Sequence, residues 1–429
     1  MSKRHPIACL AALWLAVLVP SLLRSATLDD CFQQSLKQSE TLAESKEAIY
    51  QARELYRQAL GAILPQVAVN YNAYTGNSDA AISSPQNEQL GVSLTQPLFR
   101  GFAEYAALRD EKDQLVSSKE ANEWAAMQLY QDVSQAFFMV LSLEHSRSLI
   151  NDELKAYVGR IKEERRFYAI GRARNSDVES TEAEQAALVA QGVLTDEQIS
   201  VERQVLAFLT GQDAGQPLKA VDQVPAGAGS LDDLIRGLDA RPDIQAASAQ
   251  AQAAEELVDV NEGAHLPSVD FMAHWYPTAK ATRDDSVDNS NPNAVWDGEI
   301  IATMPLFEGF SLISKDRQAK SVLRQAQLNL VLQRRQAESG IRSAWSTLDG
   351  DIAQVKAYDS AYQLSYKAYK HLEQDYKNGL DTNEDVLIAM TASWVEKQAL
   401  ETAKFTARND YEQLMTLAGR RLALYQAPE

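Results

Sequence analysis

The sequence predicts a mainly α-helical chain with a smaller β part, built by tandem duplication. The stretch Gln-Pro-Leu-Phe-Arg-Gly-Phe at 96–102 returns as Met-Pro-Leu-Phe-Glu-Gly-Phe at 304–310, an offset of 208 residues (305 − 97). The same offset relates Gly171 to Gly379. An alternating apolar run precedes each copy, and a long proline-free run follows it. One register held over so long a stretch indicates a structural repeat.

Each repeat predicts a helix, a β-hairpin and a long helical hairpin, separated by glycine and proline breaks. The first repeat, 27–240, contains an upper helix over 28–62, a β-hairpin over 66–97, a helical hairpin over 103–211 and a Pro/Gly/Ala-rich segment over 212–240. The second, 241–429, contains an upper helix over 242–263, a β-hairpin over 267–305, a helical hairpin over 311–419 and a short C-terminal tail.

The four strands predict a sheet that crosses a membrane. Apolar side chains alternate with polar ones, as Val67, Val69 and Tyr71 do in the first strand. Runs of about ten such residues fit tilted transmembrane β-strands. Four strands cannot close a barrel, and open sheet edges cannot lie in lipid. Several copies of the chain must therefore share one barrel.

The long hairpins predict a span rather than a globular domain. Breaks near Gly171 and Gly379 divide them into helices over 103–168, 175–210, 311–377 and 383–418. A helix of about 66 residues is ~100 Å long at 1.5 Å per residue. A compact domain has no need of such a length.

The N-terminus predicts an export signal over 1–26, because basic residues precede an apolar run at 7–23 and no stop-transfer pattern follows. The chain has 41 basic and 59 acidic residues, a net charge of −18, which argues against nucleic acid as a partner. Cys9 lies in the signal, so Cys31 has no intrachain partner and is expected to be a small buried residue.

The paired Pro-Leu-Phe-x-Gly-Phe motifs and the strand–strand–long-helix order resemble the TolC-like outer-membrane efflux proteins over nearly the whole mature chain. The resemblance implies a homotrimer. Four strands from each chain would form a shared 12-stranded transmembrane β-barrel, continued by a long periplasmic α-helical barrel with an equatorial region at 212–240. It implies the outer membrane of a Gram-negative bacterium, with extension into the periplasm, and as partners the membrane lipid, a periplasmic adaptor (membrane fusion protein) and an inner-membrane transporter of RND or ABC type.

The predicted function is a passive exit duct, most simply for small-molecule or drug efflux. Two alternatives stay open: a duct for type I protein secretion, and a periplasmic coiled-coil scaffold without a pore. No enzyme is predicted, because the sequence has no metal-ligand spacing, no glycine-rich phosphate loop and no Gly-x-Ser-x-Gly elbow. No cofactor and no metal are expected.

The two periplasmic tips carry opposite charge. Residues 160–174 contain six basic and two acidic side chains, whereas 373–385 contain five acidic and one basic. In a trimer these tips would alternate, and the hypothesis is that ion pairs between them hold the entrance closed. The alternative is that they are solvated helix faces, since an exposed pair contributes only ~0–1 kcal/mol.

The resemblance also suggests gate residues. Asp177 and Tyr376 match an aspartate and a tyrosine that tie neighbouring coiled coils, and Asp385 matches an aspartate of the constriction. Ile388 replaces a second constriction aspartate. Asp381 stands where the family has an arginine, so the prediction is that Arg172 or Arg174 pairs with Asp381 instead.

Two further sets have both a functional and a structural interpretation. The exposed tips, by resemblance, meet the adaptor, but they are helix turns in any case; they comprise Gly171, Arg172, Gly379, Leu380 and Asp381. The four aromatic rings at the strand–helix corners predict either a belt at the membrane interface or ordinary corner packing; they are Phe99, Phe102, Phe307 and Phe310.

Overall fold

The computed structural model describes residues 25–74, 87–219, 224–276, 295–421 and 425. The predicted signal, 1–26, lies outside these residues except for Ser25 and Ala26. Both predicted hairpin loops and most of the C-terminal tail also lie outside them. Ala26 is buried, and its main-chain nitrogen donates a hydrogen bond to the Pro217 oxygen at 2.9 Å. The start of the described chain is therefore held against the equatorial segment.

The upper helix predicted over 28–62 is two helices, α1 (Leu28–Gln38) and α2 (Glu40–Ile63), so the prediction of one helix was wrong. Ser39 lies between them with an extended backbone (ψ 115°), and its hydroxyl accepts a hydrogen bond from the Leu42 nitrogen at 3.3 Å. A serine in this position satisfies a free donor of the new helix. It ends one helix and caps the next.

The sheet is antiparallel, in the order β1-β2-β3-β4, so the two hairpins join through β2 and β3. Its strands are β1 (Gln66–Tyr74), β2 (Asn87–Arg100), β3 (Ser268–Tyr276) and β4 (Val295–Thr303). β2 continues past the predicted end of the hairpin at 97 through a bulge between Pro97 and Phe99. A bulge accommodates the missing N–H of proline in the ladder. β4 stops two residues before the predicted bound of 305.

The register separates an apolar face from a polar one. One row of directly opposed side chains crosses all four strands as Val69, Val92, Trp275 and Trp296. The adjacent row crosses them as Ala68, Ser93, His274 and Asp297. On this second face Asn70 Nδ2 donates to Ser93 Oγ at 2.9 Å, and His274 Nδ1 lies 3.1 Å from Asp297 Oδ2. This alternation is typical of strands with lipid on one side and an aqueous lumen on the other.

The long helices have nearly the predicted bounds. They are α3 (Ala103–Ala169), α4 (Asn175–Thr210), α7 (Ser311–Asn378) and α8 (Asn383–Leu417). The short α5 (Leu231–Arg236) lies in the equatorial segment, and α6 (Pro242–Gly263) is the upper helix of the second repeat. At 67 and 68 residues, α3 and α7 are each ~100 Å long. None of the described helices carries an apolar stretch long enough to cross a bilayer.

The apolar core consists of separate clusters along the helices. One joins α1, α3 and α4, where the rings of Phe32 and Tyr130 meet edge to face at 5.0 Å. Cys31 is buried in this cluster, as predicted, and burial raises the pKa of its thiol to about 11. Another joins α5, α7 and α8 around Leu234, Leu348 and Leu414. Apolar packing therefore joins neighbouring helices at several separate points along their length.

The order of helices beneath the sheet is simple. α3 packs between α2 and α6, and α6 packs between α3 and α7. Among the described residues, no comparable packing joins α7 to α2. One flank of α7 is thus open at the level where both flanks of α3 are covered.

Candidate functional site

Both helical hairpins reverse direction through the same backbone motif. Gly171 has φ +75° and Gly379 has φ +78°, the left-handed region that glycine tolerates best. The Arg172 nitrogen donates to the Phe167 oxygen at 2.8 Å, and the Leu380 nitrogen donates to the Asp375 oxygen at 2.9 Å. These are glycine-based helix C-caps. The turns by themselves account for both glycines, and an adaptor contact remains a separate proposal.

Two of the three predicted gate carboxylates, Asp177 and Asp385, cap the returning helices. Asp177 Oδ2 accepts a hydrogen bond from the Arg174 nitrogen at 2.9 Å at the start of α4. At the start of α8 the Asp385 nitrogen donates to Thr382 Oγ1 at 3.2 Å, and the Asp385 carboxylate receives the Thr382 hydroxyl in return. Negative charge is stabilised at these positions by the unpaired N–H groups and the helix dipole.

The two predicted gate arginines make different contacts. Arg172 Nη2 donates to the Lys377 main-chain oxygen at 3.4 Å, which links the tips of the two hairpins. Arg174 Nε lies 3.6 Å from Asp177 Oδ1 on its own hairpin. Within the chain, therefore, Arg174 pairs with Asp177 rather than with Asp381. Leu380, next to Asp381, is 74% exposed.

Tyr376 lies near the end of α7, just before the turn at Gly379, and packs against the other hairpin. Its ring lies 5.7 Å from the ring of Phe167, edge to face, and the Arg160 guanidinium lies 4.1 Å from its centroid. In the single chain it therefore contacts Arg160 and Phe167 of the other hairpin rather than Asp177. Partial burial raises the pKa of Tyr376, while the positive charge of Arg160 opposes that shift.

Sequence reasoning missed a buried polar network directly behind the tips. It contains Arg160 and Glu164 of α3, Thr181 of α4 and Asn383 of α8, and each side chain is at least nine-tenths buried. With Tyr376 of α7, it joins all four long helices. We call this set the tip network.

Its hydrogen bonds connect the two hairpins. Arg160 Nε donates to Glu164 Oε1 at 2.9 Å, and Arg160 Nη2 donates to Asn383 Oδ1 at 2.6 Å. Thr181 Oγ1 donates to Glu164 Oε2 at 2.7 Å. Asn383 Nδ2 donates to the Asp177 main-chain oxygen at 3.3 Å. Burial raises the pKa of Glu164, and its contacts with Thr181 and Arg160 oppose the rise.

This network corrects the predicted charge pattern. The sequence places Arg160 and Glu164 among the surface charges of the basic tip, but both lie inside the helix bundle. Arg165 fits the surface interpretation, because it pairs with Glu182 at an exposed site, at 2.6 Å. No spacing in α3 distinguishes Arg160 from Arg165, since Arg160 is covered by side chains of α7 and α8.

A second unusual carboxylate lies where α7 meets α8, far from the tips. Burial and a hydrogen bond with Asp351 raise the pKa of Asp410 to about 6. Asp351 Oδ2 is buried without a hydrogen-bond partner. Because the two carboxylates face each other, one proton shared between them relieves their repulsion.

Replacing Asp410 with asparagine is expected to stabilise the protein by about 1–2 kcal/mol at pH 8 and to leave it nearly unchanged at pH 4, a value discounted for partial exposure. The folded pKa is raised from 3.8 to about 6, so the stabilising proton is bound below pH 4 and is lost as the pH rises through 6. Thermal unfolding at several pH values measures this. Asp349→Asn, at an exposed site on α7, is the control, and a gain independent of pH would contradict the shared proton.

The predicted interface aromatics form two matching pairs at the strand–helix corners. Phe99 and Phe102 lie edge to face at 5.1 Å, and Phe307 and Phe310 do so at 5.5 Å. Phe102 and Phe310 both adopt φ +65°. Both repeats therefore hold a residue with a strained, left-handed backbone at this corner. Packing at the corner is therefore present, and a membrane-interface role stays a proposal.

Comparisons with known proteins agree with this architecture. The family model described as "Outer membrane efflux protein" matches residues 31–212 and 236–420. The outer membrane efflux protein BepC of Brucella suis is 23% identical over 85% of this chain and 79% of its own length. The outer membrane protein TolC of Vibrio cholerae is 22% identical over 85% of this chain and 83% of its own.

A secretion protein and a solved structure are also similar. The proteases secretion protein PrtF of Dickeya chrysanthemi is 23% identical over 65% of this chain and 60% of its own length. The crystal structure of the outer membrane protein VceC of Vibrio cholerae superposes with a TM-score of 0.78 at 19% identity, covering 91% of this chain and 96% of that one. The chain therefore belongs to the outer membrane efflux protein family and lies in the outer membrane, with its long helices extending into the periplasm.

Proposed function

We propose that three copies of the chain form the exit duct of a tripartite efflux system for small molecules. Its partners would be a periplasmic adaptor and an inner-membrane transporter of RND or ABC type. The observation that carries this proposal is the sheet, because its apolar face continues across four strands while β1 and β4 have open edges. Open edges are not tolerated in lipid, and closure requires further strands. The duct performs no chemistry of its own.

Protein secretion is the second candidate, supported by the similarity to PrtF. A scaffold without a pore is disfavoured, since it would not need four strands with a continuous apolar face. A gene deletion distinguishes efflux from secretion. The drug susceptibility of the deletion strain and the set of proteins it secretes are each compared with those of the wild type. Raised susceptibility with an unchanged secretome supports the proposal.

The oligomer provides the direct physical test. Light scattering of the detergent-solubilised protein, corrected for detergent, should give three chain masses, and the same material should conduct ions in planar lipid bilayers. A monomer that stays soluble without detergent would contradict the duct.

The tips are the proposed gate and the proposed adaptor contact. Asp177, Tyr376, Asp381 and Asp385 with Arg172 and Arg174 would hold the entrance narrow, and the exposed turn at Leu380 would meet the adaptor together with Gly171 and Gly379. Opposite charge on adjacent tips supports pairing between protomers. The corner rings, with Phe102 and Phe310 exposed, would lie at the membrane interface, where aromatic rings are favoured.

Replacing Arg174 with alanine is expected to raise single-channel conductance, because the α4 cap at Asp177 would lose its cation and the tip its pairing with Asp381 of the neighbouring chain. The effect should be modest, about twofold, since exposed pairs contribute ~0–1 kcal/mol each. Arg165→Ala is the matched control, because Arg165 is exposed on the same tip but pairs with Glu182 inside one hairpin. Equal conductance for wild type and Arg174→Ala would remove Arg174 from the gate.

A further inference from the structure

Ala26 is the first residue that the fold holds in place. Its side chain is only 2% exposed. Its main-chain nitrogen donates a hydrogen bond to the Pro217 oxygen at 2.9 Å, and its main-chain oxygen accepts one from the Lys219 nitrogen at 2.8 Å. Together these bonds form a parallel β-bridge between Ala26 and Leu218 of the equatorial segment. Both polar groups of the Ala26 backbone are therefore satisfied within the chain.

The side chain of Ala26 is part of the apolar core. It belongs to the cluster that joins α1, α3 and α4, which also contains Cys31. Leu218, its bridge partner, packs against the same cluster. Thr27 then caps α1, because its hydroxyl accepts a hydrogen bond from the Asp30 nitrogen at 3.1 Å. Ala26 and Thr27 are thus both fixed by the fold.

Ser25, one residue earlier, is attached only through the chain itself. It is partly exposed, and within the described part of the chain no hydrogen bond or ion pair involves it. The peptide bond between Ser25 and Ala26 therefore separates a residue that the fold does not hold from one that it holds firmly. This boundary matters because the sequence predicts that an export signal is removed from this end of the chain.

Two requirements of signal removal limit where the chain can be cut. The scissile bond follows the apolar region, and the residue before the bond is small. The apolar run continues through Leu22 and Leu23, so the bond after Ser21 lies inside it. The bonds after Ser25 and after Ala26 remain, since both residues are small and both follow the run.

The fold distinguishes these two bonds. A cut after Ala26 would discard the bridge to Leu218 with its two main-chain hydrogen bonds. It would also remove a buried side chain from the cluster that joins α1, α3 and α4. A cut after Ser25 would discard no contact that the described fold uses. The folded chain is therefore complete only when Ala26 is retained.

The charge pattern favours the same bond. In the A-x-A pattern of signal cleavage sites, the third residue before the bond is small. For a cut after Ala26 that residue is Arg24, a long cation, whereas for a cut after Ser25 it is Leu23, which is uncharged. Neither residue is small, but only the arginine adds a charge to the cleavage site.

We propose that a signal peptidase hydrolyses the peptide bond between Ser25 and Ala26, and that the mature chain begins at Ala26. Water adds across the bond, so the released signal ends in the carboxylate of Ser25 and the mature chain begins with the α-amino group of Ala26. This nitrogen remains a donor to the Pro217 oxygen. Asp29 and Asp30, in the first turn of α1, supply negative charge near it. The boundary lies one residue before the end of the signal predicted over 1–26.

Ala26 then acts as an N-terminal anchor of the equatorial segment. Arg203 of α4 holds the same stretch, because its Nη1 donates to the Ala214 oxygen at 2.6 Å and to the Gln216 oxygen at 2.9 Å. The bridge from Ala26 extends this support to Lys219. The stretch 214–219 is thus fixed both by α4 and by the first residue of the mature chain.

The N-terminal sequence of the protein purified from outer membranes tests the cleavage directly. Edman degradation and the intact mass should both identify a chain that begins Ala-Thr-Leu-Asp. A chain that begins at any other residue, Thr27 and Leu22 included, overturns the proposal. So does a chain that keeps the signal.

Two serine variants test the same bond in the cell. Ser25→Leu places a large side chain directly before the scissile bond, so pulse-chase labelling should show a precursor that is processed about tenfold more slowly. Ser21→Leu is the matched control, because it makes the same change inside the apolar run and should be processed at the wild-type rate. Slow processing of Ser21→Leu with normal processing of Ser25→Leu would assign the cut to the earlier bond and overturn the proposal.

Deleting Ala26 tests the anchor separately from the cleavage. The mature chain then begins at Thr27 and the bridge cannot form, so the thermal unfolding midpoint should fall by a few degrees and limited proteolysis within 212–219 should become faster. An extra alanine inserted between Ser25 and Ala26 is the control, because the bridge is retained, and this variant should unfold like the wild type. An unchanged midpoint in the deletion variant, with its N-terminus confirmed by sequencing, overturns the anchor.

Discussion

Replacing Arg160 with leucine is expected to lower the free energy of unfolding by about 3–5 kcal/mol, the usual cost of leaving a buried charge without its partner. Glu164 is fully buried and receives the Arg160 guanidinium at 2.9 Å. Without that cation the Thr181 hydroxyl and the Asn383 amide still contact its carboxylate, but neither carries a charge. Urea unfolding of the detergent-solubilised protein, followed by helical circular dichroism at fixed concentration, measures the loss.

Two control variants separate burial from charge. Arg165→Leu removes an arginine from the same helix, but its exposed pair with Glu182 predicts a loss of only ~0–1 kcal/mol. Arg160→Leu/Glu164→Gln removes both charges and should recover part of the stability, because an uncharged amide is less costly to bury than a carboxylate. Equal losses for Arg160→Leu and Arg165→Leu would contradict the structural role of the tip network.

Repeating the unfolding of Arg160→Leu at several pH values tests the same role of Arg160. Burial already raises the pKa of Glu164, and the loss of Arg160 removes an interaction that opposes the rise. A raised folded pKa means that stability is retained below the unfolded pKa and is lost as the pH rises through the folded pKa. Arg160→Leu should therefore be less damaging at acid pH, where Glu164 is protonated, than at pH 8.

Much of the fold could be predicted from the sequence because its signals are local. Long proline-free runs with a single glycine break define α3, α4, α7 and α8 to within about a residue of the observed bounds. Alternation of apolar and polar residues locates the strands, because the period of two is a direct consequence of the pleat. Because the chain is duplicated, each type of element is predicted twice, once in each repeat.

The features that escaped prediction depend on contacts between distant segments. Ser39 reads as an ordinary helix residue until its backbone turns between α1 and α2. Arg160 reads as a surface charge, since its burial comes from Asn383, 223 residues later. The raised pKa of Asp410 similarly depends on Asp351 of the neighbouring helix. The sequence shows that the two tips carry opposite net charge. It does not show which of the charged side chains are buried and which are exposed.

Replacing Gly101 with alanine is expected to destabilise the folded chain itself by about 2–5 kcal/mol. Gly101 has φ +65°, which an L-residue adopts at a cost, and the new methyl would lie 2.1 Å from the Gly263 oxygen. Neither backbone can move without disturbing β2 or α6, which meet at this corner. Unfolding midpoints of the solubilised protein should fall, and yield in the outer membrane should fall with them.

Gly309→Ala is the matched variant, because φ is +59° and no atom of the described residues lies within 4 Å of the new methyl. Gly309→Ala should therefore lower the free energy of unfolding by only the ~1–2 kcal/mol of left-handed backbone strain. Gly61→Ala carries no left-handed strain, and its methyl meets no described atom within 4 Å, so the unfolding midpoint should stay close to that of the wild type. Equal losses of stability for Gly101→Ala and Gly309→Ala would show that the close approach of Gly101 to Gly263 does not contribute.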